Sequence, residues 1–196
     1  MTRDPDARAS RNRRRPLRSA AVFVLIGWIA LVSLAISGRS WSAELGDPAP
    51  ELSQPDLQGR TVTLEDFENR AILVNVWATY CLPCRHEMPL LDEMAETHRD
   101  RGLVVLGVSI DGKRAEDRVR SLVEDLEISY PILLDPEEKT ADLFPAPALP
   151  ASFLFDHRGR LQWKRLGVIV EDDPELQEAL REALPPEDSS GTASGW

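Results

Sequence analysis

The sequence predicts one three-layer α/β domain with a mixed central sheet, preceded by a single membrane-spanning helix. Two continuous apolar runs, at residues 71–77 and 103–110, are typical of parallel strands that are buried on both faces. Each run is followed by a helical pattern, and the chain then changes to two strands joined by a tight turn and a closing helix. Strands that first alternate with helices and then form a hairpin predict a mixed sheet between two outer layers.

The first forty residues are a basic stretch followed by an apolar one. Residues 1–20 carry seven Arg against two Asp, and residues 20–37 contain no charged side chain. Eighteen such residues meet the lower limit for a membrane-spanning helix, and the arginines before them favour the cytoplasmic side. We therefore predict an uncleaved signal anchor in a bacterial cell membrane, with everything after about Ser40 exported. A cleaved signal peptide ending near Ser40-Trp41-Ser42 is the alternative.

The exported part of the chain is strongly acidic. Residues 44–196 hold 15 Lys and Arg against 31 Asp and Glu, a net charge of −16. Such a surface disfavours nucleic acid as a partner, because nothing on it would neutralise phosphates. The predicted segments are a basic cytoplasmic segment at 1–19, the anchor at 20–37, a linker at 38–47, the folded domain at 48–185 and a disordered tail at 186–196.

The folded domain begins with a Pro-rich lead-in, part of which is predicted to be an edge strand. Residues 61–64 alternate and are β-branched, so they are expected to pair with that edge strand in a hairpin. After the strand at 71–77, a helix is predicted from the cysteines to Gly102. The remaining predicted elements are a strand at 103–110, a helix at 114–128, a short strand at 131–134, a short helix at 137–144, strands at 151–155 and 160–166, and a closing helix at 174–184.

The only two cysteines, Cys81 and Cys84, lie where this helix begins, just past the carboxyl end of a buried strand. The positive end of the helix dipole lowers the pKa of a thiol there and makes the thiolate reactive. A disulfide between them closes a very small loop and constrains little of the unfolded chain. In an exported domain this pair is therefore interpreted as a redox-active disulfide, with no other cofactor predicted.

Metal binding is the main alternative for a Cys-x-x-Cys motif. Zinc needs four ligands, but there is no second cysteine pair, and His86 and His98 would join only with strained helix geometry. Covalent haem attachment needs His directly after the second cysteine, where Arg85 stands. Copper binding through the two cysteines and a histidine is a minor alternative.

The segment Trp77-Ala-Thr-Tyr-Cys-Leu-Pro-Cys84 resembles the thioredoxin active site. With Asn75 before it and Glu87-Met-Pro89 after it, the segment is similar to the membrane-anchored TlpA/ResA-like thiol–disulfide oxidoreductases. The likeness extends from Gly46-Asp-Pro-Ala-Pro50 to the final helix and includes an extra helix and strand after Ile110. It implies a thioredoxin fold with an N-terminal hairpin and a βα insert.

The resemblance also implies a role for each matching residue. Cys81 is expected to be the exposed nucleophile that forms a mixed disulfide with a partner, and Cys84 the buried thiol that resolves it. Glu87 matches an acidic residue that adjusts the thiol pKa values and moves protons; a helix-surface carboxylate is the alternative. Leu149-Pro150 resembles the cis-proline loop opposite the cysteines, whereas a merely rigid Pro-rich loop is the alternative. Residues expected to contact the partner are Trp77, Tyr80, Leu82, Pro83, Leu149 and Pro150.

Two departures from the family pattern bear on function. Asn75 stands where plain thioredoxin has Asp, which disfavours a general thioredoxin role, and Pro145-Ala-Pro147 replaces the usual Gly-Val pair before the cis-proline. The resemblance implies an extracytoplasmic reductase of partner-protein disulfides, for example in apocytochrome c during cytochrome c maturation. Its electrons would come from a membrane thiol carrier of the CcdA/DsbD type. A disulfide-forming oxidant and a copper or other metal chaperone module are the alternative functions.

Overall fold

The computed structural model describes residues 43–186 of the 196-residue chain. The predicted cytoplasmic segment, the anchor at 20–37 and nearly all of the predicted tail lie outside the described residues. Within the described part, no helix is long and apolar enough to cross a membrane. The membrane anchor therefore stays a prediction from the sequence.

A hairpin of two short strands opens the domain, as predicted. The strands are β1 (Ser53–Pro55) and β2 (Thr61–Thr63), and they pair in antiparallel fashion. A short 3-10 helix at Glu65–Phe67 then leads into the central sheet. Residues 43–47, predicted as part of a linker, lie against the domain, since Ala43 is buried and the amide of Gly46 donates to a strand carbonyl at 2.8 Å.

A five-stranded mixed sheet forms the centre of the domain and confirms the predicted fold class. Its strands are β3 (Ala71–Trp77), β4 (Leu103–Ser109), β5 (Ile132–Leu134), β6 (Ala151–Phe155) and β7 (Leu161–Leu166). They lie in the order β5-β4-β3-β6-β7. β3, β4 and β5 are parallel, whereas β6 runs antiparallel to β3, and β7 antiparallel to β6. The central strand β3 is buried along its whole length, which explains its unbroken apolar run.

Four helices lie where the sequence predicts them, and all four are shorter than predicted, the last by one residue only. The turn before β4 ends the first helix early, because the amide of Gly102 donates to the carbonyl of Arg99 and Gly102 has a φ of +90°. Glu127 ends the second helix with a left-handed φ of +53°. The carboxylate of Asp135 accepts the amide of Thr140, so the third helix begins only there. The helices are α1 (Leu82–His98), α2 (Glu116–Asp125), α3 (Thr140–Leu143) and α4 (Pro174–Ala183).

The two faces of the sheet bury different parts of the chain. Apolar residues of α1, α2 and α4 pack on the face that carries Leu73 and Val105. The hairpin, the 3-10 helix and Phe144 pack on the opposite face, which carries Val74 and Leu106. One strand contributes side chains to both faces, because successive side chains of a strand point to opposite sides of the sheet. The result is the expected three-layer arrangement.

Two tight turns share the pattern Asp-x-x-Gly-Arg, at residues 56–60 and 156–160. In each turn the Asp carboxylate accepts the amides two and four residues further on, at 2.8–2.9 Å. The glycine has a positive φ in both, +78° at Gly59 and +72° at Gly159, which glycine adopts without steric strain. Turns with this pattern connect the strands of both hairpins, β1–β2 and β6–β7.

Candidate active site

Cys81 and Cys84 form a disulfide at the start of α1. Cys81 is the N-cap residue of the helix, and its Sγ accepts the amide of Cys84 at 3.2 Å. Pro83 lies in the first helical turn, where its missing N–H breaks no hydrogen bond. Cys81 is 8% exposed, whereas Cys84 has no exposed surface. Of the two cysteines, only Cys81 therefore has surface that a partner could reach.

The turn before Cys81 is held by Asp111, which follows β4. Thr79 donates to this carboxylate from its amide at 2.8 Å and from Oγ1 at 2.6 Å. Ser109 Oγ donates to the same carboxylate at 2.8 Å. Because β3 and β4 are parallel, their carboxyl ends meet at one edge of the sheet. Asp111 was not predicted as a site residue, although polar residues after two neighbouring parallel strands are a signal that could have found it.

Glu87 lies in α1 with its carboxyl group buried; it is 2% exposed. Its Oε1 accepts Asn75 Nδ2 from β3 at 2.8 Å, and its Oε2 accepts the amide of Ile169 at 2.8 Å. Asn75 Nδ2 also donates to Ser152 Oγ in β6 at 2.9 Å. The alternative interpretation of Glu87 as a helix-surface carboxylate is therefore wrong. Sequence reasoning missed Ser152 and Ile169, which lie far along the chain from the cysteine motif.

The environment of Glu87 changes its acidity. Burial raises the pKa of the Glu87 carboxyl to about 7, because the charged form loses its hydration. The hydrogen bonds from Ile169 and Asn75 oppose this rise, since both donors stabilise the carboxylate. No Lys, Arg or His in the described part of the chain forms an ion pair with Glu87. The carboxyl group is thus able to gain and lose a proton near neutral pH.

A second segment lies at the same end of β3 as the cysteine turn, since Val76 pairs with Ala151, the residue that follows Pro150. The Leu149–Pro150 peptide bond is cis, as the resemblance implied. The carbonyl of Pro150 accepts the amide of Gly167 at 2.8 Å. Gly167 begins the loop after β7, and the same loop supplies the Ile169 amide to Glu87. Hydrogen bonds therefore join the loop after β7 to both the cis-proline and Glu87.

Apolar side chains are exposed around the disulfide. Tyr80 and Leu82 flank Cys81 and are 73% and 54% exposed. At the end of β7 and in the loop that follows it, Leu166, Val168 and Val170 are also exposed. Of the six large apolar side chains exposed in residues 43–186, these five lie in the two segments that border the site. Such a cluster is typical of a surface that binds another protein.

Trp77 does not lie on this surface. It was predicted to contact the partner, but its side chain has no exposed area and belongs to the core beneath α1. The reason is its place in β3, which β4 and β6 flank on either side and whose face with Trp77 is covered by the helix layer. Pro83 is exposed, Leu149 is partly buried and Pro150 is buried. Of the predicted contact residues, Tyr80, Leu82 and Pro83 are thus the most accessible.

Metal coordination has no counterpart in the described residues. No three His, Cys, Asp or Glu side chains between residues 43 and 186 converge in a way that could hold an ion. The two thiol positions are joined to one another as a disulfide. The arrangement supports sulfur exchange, in which bonds between sulfur atoms form and break with a proton acceptor close by.

The disulfide lies between a central parallel strand and the helix that follows it. Proteins that exchange thiols and disulfides on a thioredoxin fold carry their reactive cysteines at the same position. Fold and site together place the chain among the thiol–disulfide oxidoreductases. It belongs to the AhpC/TSA family, whose model matches residues 45–164.

Characterised relatives and solved structures agree with this assignment. The chain is 27% identical over 142 residues to a thiol-disulfide oxidoreductase ResA of Bacillus cereus, covering 72% of this chain and 80% of the relative. It is 29% identical over 130 residues to the thioredoxin-like protein YneN of Bacillus subtilis (strain 168), covering 66% and 76%. A crystal structure of a thiol:disulfide interchange protein DsbE from Chlorobium tepidum superposes with a TM-score of 0.66 at 26% identity, covering 71% of this chain and 97% of that one.

Proposed function

We propose that this protein is an extracytoplasmic, membrane-tethered reductase of disulfides in partner proteins. The observation that carries the proposal is the Cys81–Cys84 disulfide at the start of α1, with the buried Glu87 carboxyl in the same helix. Likeness to a thiol-disulfide oxidoreductase named ResA supports the class of reaction. The predicted anchor at 20–37 would hold the domain at the outer face of a bacterial cell membrane.

In the first step, the thiolate of Cys81 attacks one sulfur of a client disulfide. A bond forms between Cys81 Sγ and that sulfur, the client S–S bond breaks, and the other client sulfur leaves as a thiolate that takes up a proton. The start of α1 favours the Cys81 thiolate, because the amide of Cys84 points at Sγ and the helix dipole is positive there.

In the second step, Cys84 resolves the mixed disulfide. Its thiol gives a proton to the Glu87 carboxylate, and the resulting thiolate attacks Cys81 Sγ, so that the second client sulfur leaves as a thiolate. Two electrons pass to the client, and the protein is left with the disulfide that the structure contains. A carboxyl group with a pKa of about 7 suits this exchange, since both of its forms are populated near neutral pH.

A second thiol partner must then restore the dithiol. We propose a membrane thiol carrier of the CcdA/DsbD type, whose two thiols become a disulfide as Cys81–Cys84 is reduced. The client itself would present an extended segment with apolar residues beside its cysteine. Tyr80, Leu82 and Pro83 would contact it on one side, and Leu149-Pro150 with residues 166–170 on the other. An oxidised cysteine pair of apocytochrome c, in cytochrome c maturation, fits this description.

Trapping of mixed disulfides tests the assignment of the two cysteines. Cys84→Ser leaves the attacking thiol and removes the resolving one, so clients are expected to remain bound to Cys81. The matched control is Cys81→Ser, which leaves only a thiol with no exposed surface. Non-reducing gels followed by mass spectrometry of the adducts give the readout. Equal adduct yields from the two variants would contradict the assigned order of attack.

The reduction potential decides the direction of electron flow. A potential near or below about −230 mV is expected for a reductase, whereas a value near about −120 mV would identify a disulfide-forming oxidant. The measurement equilibrates the protein with defined glutathione ratios and follows the fraction of disulfide. Stoichiometric copper or zinc binding by the dithiol form, without reduction of any disulfide, would instead indicate a metal chaperone.

A further inference from the structure

A buried carboxylate lies just past the carboxyl end of β4, beside the turn that leads to Cys81. Asp111 is 7% exposed and accepts hydrogen bonds from the Thr79 amide at 2.8 Å, from Thr79 Oγ1 at 2.6 Å and from Ser109 Oγ at 2.8 Å. All three partners act as donors, which suits an ionised carboxylate because it only accepts hydrogen bonds. Among residues 43–186, no cation forms an ion pair with Asp111.

The charge of Asp111 lies close to the Cys81 sulfur. Thr79, which donates to Asp111 twice, precedes Cys81 by two positions, and the amide of Cys81 donates to the carbonyl of Ala78 at 3.0 Å in the same turn. A stretch of two residues spans at most about 7 Å, so the carboxylate and the sulfur lie on the order of 10 Å apart. Neither sulfur takes part in the hydrogen bonds of Asp111, so opening of the disulfide breaks none of them.

Two features of the site act on the Cys81 thiol in opposite directions. The amide of Cys84 points at Cys81 Sγ at 3.2 Å and the start of α1 is the positive end of the helix dipole, so both favour a thiolate. A nearby carboxylate disfavours the thiolate, because like charges repel and burial weakens the screening by water and salt. A thiol that ionises less readily makes the dithiol form less stable relative to the disulfide.

We propose that Asp111 is a positioning residue that holds the Cys81 turn and, through its charge, opposes ionisation of the Cys81 thiol. Its carboxylate is bound by Thr79 and Ser109, so it acts on the sulfur through the turn and through space. Without this charge, the dithiol form would be more stable and a weaker donor of electrons. The inference rests on the proposed function, because it names a residue that directs electrons towards a client disulfide.

Other titratable groups near Cys81 lie on its own turn and on α1. Tyr80 precedes Cys81 and is exposed, and Arg85 and His86 are exposed as well, so water and salt screen the charges of these two. Glu87 is buried, and because burial raises its pKa to about 7, it is partly ionised at neutral pH. Its charge also opposes ionisation of a nearby thiol. The effect of Asp111 therefore has to be measured both with Glu87 and with Glu87→Gln.

Neighbouring segments contribute further charges at this end of the sheet. Lys113 and Arg114, in the loop after β4, are exposed, as are the two acidic residues at 171–172 in the loop after β7. Asp135 is buried, but it follows β5, which lies one strand farther from β3 than β4 does. Asp111, by contrast, is a buried carboxylate that directly contacts the turn of the reactive cysteine.

The ionisation of Cys81 in the dithiol form of the full-length chain in detergent tests the proposal. The rate of alkylation by iodoacetamide between pH 5 and pH 10 gives the midpoint, and it reports Cys81 because Cys84 has no exposed surface. Asp111→Asn removes the charge, while its amide can still accept the Thr79 N–H and donate to Thr79 Oγ1. The midpoint is expected to fall by about half a pH unit, or about threefold in proton affinity. An unchanged midpoint would overturn the proposal.

Three further variants separate the charge from the geometry of the turn. Thr79→Val removes the hydroxyl but keeps the charge of Asp111, so the midpoint is not expected to fall; a fall equal to that of Asp111→Asn would assign the effect to the turn and overturn the role of the charge. Asp111→Ser removes the same charge with a smaller side chain and should reproduce the fall. In Glu87→Gln, addition of Asp111→Asn should lower the midpoint again, and no fall there would assign the effect to Glu87.

The equilibrium of the cysteine pair with glutathione tests the link to electron flow. At pH 9, where the Cys81 thiolate is well populated, Asp111→Asn is expected to shift this equilibrium about threefold towards the dithiol form. Thr79→Val is not expected to reproduce this shift. An equilibrium that stays at the wild-type value in Asp111→Asn would contradict the proposed influence on the direction of electron flow.

Reduction of insulin disulfides by the dithiol form distinguishes this inference from the proposed function. Alkylation of Cys81 needs no client, so its midpoint is measured independently of any reductase activity. If insulin is not reduced while Asp111→Asn lowers the midpoint, the role of Asp111 stands and the proposed reductase function fails. If insulin is reduced while the midpoint stays fixed, the role of Asp111 alone is overturned.

Discussion

Glu87 and Asp56 are two carboxylates with almost no exposed surface, 2% and 3%, yet their pKa values move in opposite directions. Burial raises the pKa of Glu87 to about 7, against the opposing hydrogen bonds from Ile169 and Asn75. Burial would also raise the pKa of Asp56, but hydrogen bonds from the amide and guanidinium of Arg60 and from the amide of Gln58 outweigh it. The pKa of Asp56 therefore lies below its usual value.

Both the hydrogen-bond donors and the hydration that each carboxyl group loses account for the difference. Asp56 accepts two amides and the Arg60 guanidinium, which lies 2.8 Å from Oδ2. Glu87 accepts two uncharged donors and no cation. A cation and a dense set of donors fix a permanent charge, whereas two neutral donors leave the charge in balance with desolvation. The first carboxylate closes a turn, and the second lies beside a redox disulfide.

The largest expected effect is on the pH dependence of stability, and it comes from Glu87→Gln. Because Glu87 has a pKa of about 7 in the folded protein against an ordinary value of 4.5, the folded state holds more protons than the unfolded chain between these values. The free energy of unfolding therefore falls as the pH rises from about 4.5 to about 7, by about 3 kcal/mol. Glu87→Gln should remove this fall, as measured by urea unfolding of the oxidised protein from pH 4 to pH 8.

The slope with pH is the diagnostic quantity, because Gln also changes the hydrogen bonds of the site at every pH. Glu93→Gln, which removes an exposed carboxylate of the same helix, is the control for the loss of one negative charge. An identical slope in wild type and Glu87→Gln would mean that Glu87 is ionised in the folded protein as readily as in water.

Asp56→Asn should have the next largest effect on stability, and the stability contribution of Asp56 should change with pH in the direction opposite to that of Glu87. The pKa of Asp56 is lower in the folded protein than in the unfolded chain, so its carboxylate stabilises the fold at pH values above the pKa of the unfolded chain. This stabilisation is lost as the pH falls through the pKa of the folded protein. At pH 7 the variant should lose about 2 kcal/mol, since it weakens hydrogen bonds to a buried charge. Urea unfolding at pH 7 and at pH 3 measures the change, and the loss should shrink at the lower pH.

Asp156→Asn provides a matched comparison in the second Asp-x-x-Gly-Arg turn. Asp156 accepts the equivalent amides, but its other oxygen accepts Gln162 Nε2 and no guanidinium. This variant should therefore destabilise the protein less than Asp56→Asn at pH 7. A larger loss of stability in Asp156→Asn would show that the guanidinium does not account for the difference between the two turns.

Removal of the Ile169 N–H group should raise the pKa of Glu87 and so widen its difference from the pKa of Asp56. Ile169→Pro has no N–H to donate, so the pKa of Glu87 is expected to rise by about one pH unit as the carboxylate loses a donor. The carboxyl carbon of Glu87, followed by nuclear magnetic resonance, gives the midpoint. Ile169→Val keeps the N–H group and should leave the midpoint of the Glu87 titration unchanged. The same shift of the midpoint in both variants would assign the effect to packing.

The sequence predicted the sheet and the cysteine site because both depend on local patterns. The apolar run of β3 and the position of Cys81 at the following helix start are visible within one short stretch of chain. The cis bond before Pro150 and the importance of Glu87 came from resemblance to a family. Neither the burial of Glu87 nor its donors follow from spacing along the chain.

The parts that the sequence did not predict depend on contacts between distant residues. Ser152 and Ile169 reach Asn75 and Glu87 across 77 and 82 positions, and only the order of strands in the sheet brings them together. Trp77 was predicted to contact the partner because it belongs to the segment that resembles the thioredoxin active site. Its burial agrees instead with the apolar run at 71–77, which by itself predicts a strand that is buried on both faces.

The smallest expected effect comes from Arg60→Gln, which tests the cation in the comparison directly. The Arg60 side chain is 64% exposed, so water screens its attraction to Asp56 and the variant should lose at most about 1 kcal/mol at pH 7. The pKa of the Asp56 carboxyl should nevertheless rise, which its carbon resonance would report. Arg160→Gln is the control, because the Arg160 guanidinium donates to the carbonyl of Gly46 and not to Asp156. If the Asp56 resonance titrates as in wild type, the amides of the turn alone hold its charge, and the contrast with Glu87 then comes from the stronger desolvation of Glu87 and not from a cation.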